Sequence, residues 1–256
     1  MHKDLSLIIP AFNEAQRLGP TLHRVAEFLA SSGLTYEIVV VNDGSSDDTA
    51  ELARATQAEI PALRLISYPH NRGKGHAVRL GMMAARGRVR VMFDADGATP
   101  PEEIPKVFNP VALGQVDIAI GSRYVGGAHV ANPQPRWRRA WSRIVNRVVR
   151  QSFGFQLADT QCGLKAFSAA AADAVFPWLE TAGWAFDIEA LALATREGLT
   201  IREIAVSWTD DPRSRVSPVR DFCKVVGEWW AIRKRLRRPR RDLPVASPRA
   251  SLPRAV

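Results

Sequence analysis

Sulfur is scarce in this chain, and long apolar runs are missing. Its 256 residues hold two cysteines, Cys162 and Cys223, spaced for neither a metal site nor a disulfide framework, which suits a reducing compartment. No apolar stretch approaches the roughly 18 residues of a membrane span. Met1-His2-Lys3-Asp4 runs into a strand without the pattern of a secretory signal. Two nucleotide-binding motifs are also absent. The turn after the first apolar run reads Pro10-Ala11-Phe12-Asn13-Glu14 and not G-x-G-x-x-G, and Gly73-Lys74-Gly75 lacks the Walker spacing and its Ser/Thr. These absences argue against a disulfide-stapled domain, a membrane-spanning chain, and the dinucleotide- or ATP-binding forms of an α/β fold.

What is abundant is positive charge, and it is unevenly placed. The net charge is +9, but residues 233–256 carry +8 of it, leaving +1 for residues 1–232. Within those, Arg136 to Arg150 contains six arginines and no acid, so the remainder is mildly acidic. Nucleic acid and anionic membrane surfaces are the generic partners of such patches, and a solvated tail is the bland alternative for the second.

The first hundred residues alternate strand and helix patterns. Leu5–Pro10, Tyr36–Val41, Leu63–Ser67 and Arg88–Phe93 are short apolar runs of the kind that form buried parallel strands. Between the first two, Leu18, Leu22, Val25, Phe28 and Leu29 fall at helical spacing, and a second helix follows Gly75 to about Ala85. This predicts a doubly wound α/β fold with a mostly parallel, Rossmann-like sheet flanked by helices.

In such sheets ligands bind outside the carboxyl ends of the strands. Asp94-Ala95-Asp96 follows the fourth strand directly. Two carboxylates one residue apart in an extended segment point the same way and suit a hard divalent cation, although the triplet alone also fits a solvated turn. Asp43 ends the second strand, placed to accept from a ribose or a base, or to serve as a turn residue before Gly44. Arg72 and Lys74 flank glycines that let backbone approach a ligand, which would suit a diphosphate; a plain turn is the alternative.

Taken in order, Leu7-Ile8-Ile9-Pro10-Ala11-Phe12-Asn13-Glu14, Val41-Asn42-Asp43-Gly44-Ser45-Ser46-Asp47, Asn71-Arg72-Gly73-Lys74-Gly75 and Asp94-Ala95-Asp96 resemble the nucleotide-sugar half of family 2 inverting glycosyltransferases with the GT-A fold. Gly121-Ser122-Arg123-Tyr124, Asp159-Thr160-Gln161-Cys162-Gly163-Leu164-Lys165 and Gly183-Trp184-Ala185-Phe186-Asp187-Ile188-Glu189 are similar to motifs of the dolichyl- and polyprenyl-phosphate hexosyltransferases, nearest the dolichyl-phosphate β-glucosyltransferase branch. Asn42 stands where many relatives carry a second Asp.

The resemblance implies a metal-dependent, inverting transfer of a hexose to polyprenyl or dolichyl phosphate. Glucose from UDP-glucose is favoured; mannose from GDP-mannose, or transfer to a saccharide hydroxyl, are the alternatives. It implies that Asp43 binds uridine or its ribose, with Pro10, Ala11 and Glu14 lining the base pocket and Arg72 and Lys74 on the donor side. Asp94 and Asp96 would hold Mg²⁺ or Mn²⁺ against the donor pyrophosphate, and Arg123 would reach the phosphates between donor and acceptor. The acceptor phosphate would meet Arg138, Arg139 and Ser142, with Gln161, Lys165 and Arg215 also on that side. Asp187 and Glu189 would position sugar or acceptor, one of them becoming the base if the acceptor were a hydroxyl.

Two stretches bear on partners. Trp141, Ile144, Val145, Val148 and Val149 form an apolar stripe with Arg139, Arg143, Arg147 and Arg150 on other faces, an amphipathic basic helix that fits a membrane surface or a lipid groove, or simply packs on the core. Phe222, Val225, Val226, Trp229 and Trp230 make a second stripe, followed by the basic run from Arg233 to Arg241, which suits an interfacial anchor on anionic lipid. The expected organisation is a glycosyltransferase domain over residues 1–232 (nucleotide-sugar half 1–125, acceptor half 126–232) and a basic, disordered tail over 233–256. Nucleic acid is not an expected partner, because an acidic strand-end cluster repels phosphates unless a metal intervenes. The expected location is the cytoplasmic face of a membrane, held peripherally.

Overall fold

The structure is a computed structural model, and it describes residues 3–131, 147, 149–209 and 218–237, with backbone alone for 218–225. The alternation read from the sequence runs β1 (Lys3–Ala11), α1 (Leu18–Ala30), β2 (Tyr36–Asp43), α2 (Thr49–Glu59), β3 (Leu63–Tyr68), α3 (Lys74–Ala84), β4 (Gly87–Met92) and α4 (Ile104–Ala112). The second half contributes β5 (Ile118–Ser122), β6 (His129–Ala131), β7 (Lys165–Ser168), α5 (Ala169–Val175), α6 (Phe186–Arg196), β8 (Ile201–Ala205), β9 (Ser207–Thr209) and α7 (Pro218–Leu236).

Seven strands form one sheet in the order β3-β2-β1-β4-β7-β5-β8. β1 to β4 are parallel, and β5 is parallel to β8. β7 runs against both of its neighbours, with Lys165 opposite Met92 on one side and Ile120 on the other. That reversal has a consequence for the site. The first residue of β7 lies at the same sheet edge as the last residues of β4 and β5, so side chains from the chain's two halves meet there.

Alternation along the strands builds a core on each face. Leu5, Leu7 and Ile9 of β1 and Val89 and Val91 of β4 pack with Leu18, Leu22 and Val25 of α1 and Val107 of α4. Ile8 and Met92 face the other way, onto Val78 of α3, Ile188 and Leu191 of α6 and Ile232 of α7. The single-face periodicity of α1 and the two-sided burial of β1 are the same physics seen from two elements.

One expected boundary is corrected. The division after residue 232 falls inside α7, which continues to Leu236. Ile232 is buried, and the Arg235 guanidinium is paired with Glu180 at 2.7 Å. Apolar contact on one helix face carries the backbone past the point where composition alone signals a tail. Among the described residues no helix is long and apolar enough to cross a membrane.

Candidate active site

Asp94 and Asp96 follow β4 at the carboxyl edge of the sheet. Phe93 is still bonded to β1, its N–H donating to the Ile8 carbonyl at 2.9 Å, but the chain then turns at Ala95-Asp96 and does not stay extended as the sequence reading assumed. The turn is pinned from two sides: Thr21 Oγ1 donates to the Ala95 carbonyl (3.0 Å), and the Thr209 N–H donates to the Ala98 carbonyl (2.8 Å). Both carboxylates remain half-buried. Asp94 accepts from Lys74 Nζ at 2.7 Å, and Asp96 from the Ala98 N–H at 3.0 Å. Burial would raise the Asp94 carboxyl, but the Lys74 ammonium more than offsets it and holds the group below the usual carboxylate range. Asp96 moves the other way, raised by burial and by the charge on Asp94. Two half-buried carboxylates, each with one protein donor and one pushed up by the other, suit a divalent cation with hard-oxygen preference. Among the described residues no third His, Cys, Asp or Glu joins them, so further ligands would come from water or from a bound phosphate.

Asp43 is different. It is buried, and each of its oxygens accepts twice: Oδ1 from Tyr68 Oη (2.8 Å) and the Arg72 N–H (2.7 Å), Oδ2 from Asn71 Nδ2 (2.9 Å) and the Gly73 N–H (2.9 Å). A carboxylate has about four acceptor positions, and all are taken by protein. Asp43 thus shapes the 71–73 loop that leads into α3, and the expected contact with uridine or its ribose would have to share or displace one of these donors. Burial and the Asp43 charge push the Tyr68 hydroxyl up, so it stays a donor. Pro10 and Ala11 close β1 beside Val41 and Asn42. Glu14 is held by Arg17 at 2.5 Å, and its N–H donates to Thr49 Oγ1, which laces the first loop to the second.

The glycines around Lys74 also have a partner other than the one expected. The backbone that approaches them is the chain's own 181–183 segment. A Cβ at Gly73 would collide with the Ala182 carbonyl, and one at Gly75 with the Thr181 carbonyl. The Ala182 carbonyl accepts from the N–H groups of Gly75 (2.8 Å) and His76 (3.3 Å), so two donors of the α3 N-terminus are satisfied by protein. Lys74 Nζ lies 5.2 Å from the centroid of the exposed Trp184 ring, and Arg72 lies 5.8 Å from that of Tyr68.

Two further expectations are corrected by burial. Lys165 is 1% exposed and donates to the Cys162 carbonyl (2.5 Å) and Asp187 Oδ1 (2.7 Å). It is an internal counter-ion, not a phosphate contact. Glu189 is fully buried; it accepts from the N–H groups of Glu180 (3.2 Å) and Thr181 (2.7 Å) and is paired with Arg235. It is a loop anchor and has no free oxygen to act as base. Asp187, two residues earlier on α6, lies within electrostatic range of Lys74 and Asp94; burial raises its carboxyl despite Lys165.

At the end of β5, Arg123 is clamped by Asp159. Nε donates to Oδ2 at 2.7 Å, Nη2 to Oδ1 at 3.0 Å, and the Arg123 N–H to Oδ2 at 3.1 Å. Gln161 adds a fourth donor through its N–H. The guanidinium also lies 5.3 Å from the Trp208 ring centroid and 5.5 Å from that of Tyr124. Beyond Tyr124 opens a cavity of about 810 Å³ whose walls include Arg147, Arg150 and Phe155. Arg138, Arg139, Ser142 and Arg215, and most of the expected amphipathic helix, lie outside the described residues; Val149 at its end is buried. The sequence reading passed over Asp159 as a site residue, and with it Glu203, which accepts from the N–H groups of Ala158 and Asp159. Asp159 stood in a quoted motif, so a signal existed; Glu203 gave none.

A mostly parallel sheet flanked by helices is the arrangement of a GT-A glycosyltransferase, and solved structures share the fold. Glucosyl-3-phosphoglycerate synthase of Mycobacterium tuberculosis, in complex with Mn²⁺, uridine-diphosphate-glucose and phosphoglyceric acid, superposes with a TM-score of 0.67 at 21% identity, covering 91% of this chain and 80% of that one. The pattern described as glycosyl transferase family 2 matches residues 6–176. Dolichyl-phosphate β-glucosyltransferase of Drosophila melanogaster is 38% identical over 84% of this chain and 70% of its own length. The Saccharomyces cerevisiae protein of the same name is 34% identical over 90% and 74%. The chain belongs to glycosyl transferase family 2 and is a glycosyltransferase.

Proposed function

We propose that the protein transfers glucose from UDP-glucose to a dolichyl or polyprenyl phosphate with inversion. The relatives named above support the substrate pair. The observation that carries the acceptor class is the state of Glu189, one of the two carboxylates that could serve a hydroxyl acceptor as base: it is buried and bonded to backbone and to Arg235, while Asp187 is tied to Lys165 through one oxygen. A phosphate monoester has its second pKa near 6 and reaches the site already ionised. The protein then has to align the reactants, screen phosphate from phosphate, and favour the departing nucleoside diphosphate.

Asp94 and Asp96 would hold Mg²⁺ or Mn²⁺. Such an ion, when bound, neutralises charge on the pyrophosphate. Lys74 faces the same carboxylates and would meet the pyrophosphate from the α3 side. Arg123, its plane fixed by Asp159, has no protein acceptor on Nη1 among the described residues and would lie between the two phosphates. Arg138, Arg139, Ser142, Gln161 and Arg215 belong to the acceptor side of this proposal. Residues 1–125 would then be the nucleotide-sugar half and the rest the acceptor half.

The same proposal places the chain peripherally on a membrane, on its cytoplasmic face. Val226, Trp230, Arg233 and Lys234 are exposed on one side of α7, and Lys234 Nζ lies 5.4 Å from the Trp230 ring centroid. A tryptophan beside basic residues suits an anionic lipid surface, at about 1 kcal/mol per basic residue. Failure to co-sediment with anionic vesicles at low salt would remove this part.

The test of the reaction is label transfer from UDP-glucose, with GDP-mannose in parallel, into an organic-extractable lipid in the presence of Mg²⁺ or Mn²⁺. Label that depends on both metal and lipid phosphate supports the proposal. Nucleotide release without a lipid product would overturn the acceptor, and label from GDP-mannose alone would overturn the donor.

A further inference from the structure

The C-terminal helix is far in sequence from every motif the reaction uses, yet its inner face grips the loop that builds the donor side of the site. Glu228, Trp229, Ile232, Arg235 and Leu236 face inward, while Val226, Trp230, Arg233 and Lys234 face solvent. Glu228 Oε2 accepts from the Ala185 N–H at 2.8 Å, and the carboxylate lies against Gly183, where a Cβ would have to push it aside. About two turns further on, Arg235 pairs with Glu180 and with Glu189, the residue whose carboxylate also receives the Glu180 and Thr181 N–H groups. Both ends of the 180–185 loop are thus held by α7 or its partner.

The middle of that loop carries the contacts that matter for the donor. Ala182 supplies the carbonyl that accepts from Gly75 and His76, the two residues that follow Lys74 in the first turn of α3. Trp184 lies beside the Lys74 ammonium, which is bonded to Asp94. We propose that α7 is a positioning element of the donor site, with Glu228 and Arg235 the positioning residues: through the 180–185 loop they fix the α3 N-terminus, and so the place of Lys74 against Asp94. This rests on the proposed use of a nucleoside diphosphate donor.

The test is UDP affinity in the presence of Mg²⁺, measured by calorimetry on the full chain without lipid, so that membrane attachment plays no part. Glu228→Ala removes the acceptor for the Ala185 N–H, and UDP binding should weaken about tenfold, as expected if the loop is then held in place about a tenth of the time. Glu228→Gln keeps an acceptor oxygen at the same reach and should restore binding to within about twofold of wild type. If Glu228→Ala fails to fold, Glu228→Asp, which draws the carboxylate back by one methylene, should weaken UDP in the same sense. Trp230→Ser on the outer face of the same helix should leave affinity unchanged. In turnover, the Glu228→Ala variant should show a raised KM for the nucleotide sugar with the KM for lipid phosphate unaltered. A smaller active fraction would instead lower kcat alone. Equal UDP affinity in wild type and Glu228→Ala, or equal loss in the Gln variant, overturns the proposal. Wild-type protein that binds UDP but leaves the lipid unglucosylated overturns the acceptor reading and leaves this comparison standing.

Discussion

Asp43 and Asp96 both sit where a parallel strand ends at the same edge of one sheet, yet they do opposite work. Asp43 accepts four hydrogen bonds from within the protein, while Asp96 accepts one. Asp159 and Glu189 fall with the first kind, Asp94 and Asp187 with the second. A saturated carboxylate organises the backbone around it and has nothing left for a ligand. An unsaturated one at the crevice keeps an oxygen for something that arrives; of these, Asp96 is raised by burial and by the Asp94 charge, and Asp94 is held low by Lys74. Strand-end position is shared by both kinds; the donor count separates them.

Substitutions should pull the two kinds apart. The largest effect on activity is expected at Asp96→Asn: transfer falls by roughly a thousandfold, as loss of several kcal/mol of cation-assisted stabilisation requires. Its Tm should hold or rise, because a repulsion with Asp94 is relieved. A Tm drop with activity retained would break the contrast. Asp159→Asn should cost about 3 kcal/mol of stability at pH 7, since it leaves Arg123 without its partner. Burial would raise the Asp159 carboxyl, but Arg123 more than offsets it, so its folded value lies below the ordinary one. The pair therefore contributes fully above the unfolded pKa of about 3.9 and is lost as pH falls through the folded value. Denaturant melts from pH 7 to pH 3 should show the gap between wild type and variant beginning to narrow at the acid end, below the unfolded carboxyl value. A gap of unchanged size across that range would mean the loss is packing, not charge.

Asp43→Asn should cost about 2 kcal/mol, because the amide puts hydrogens where Asn71 and Gly73 already donate. A Tm lower by about 4–8 °C is expected for a domain of this size, with UDP affinity reduced only as the 71–73 loop loosens. Unchanged stability with UDP binding abolished would return Asp43 to the ligands. The smallest effect is expected at Trp230→Ser, within about 0.5 kcal/mol in stability, with vesicle binding reduced.

Much of this was legible in the chain itself. Apolar runs of five or six residues between helical patterns marked β1 to β4 because buried parallel strands need apolar side chains on both faces. That Asp94 and Asp96 follow a strand end and that Lys74 opens a helix was legible because strand ends and glycine-flanked turns are local features. The antiparallel β7, the burial of Lys165 and Glu189, and the docking of α7 were not. Each depends on partners far along the chain: 22 residues separate Lys165 from Asp187, 36 separate Arg123 from Asp159, and 43 separate Ala185 from Glu228.

The sequence by itself determined the class of fold, the motif order, and which residue types reach the carboxyl edge of the sheet. It did so because periodicity and local turn chemistry act over a few residues. Only the tertiary structure decided which of those carboxylates remain able to bind anything, because a hydrogen-bond donor brought in from a distant element fills an oxygen as completely as a ligand does.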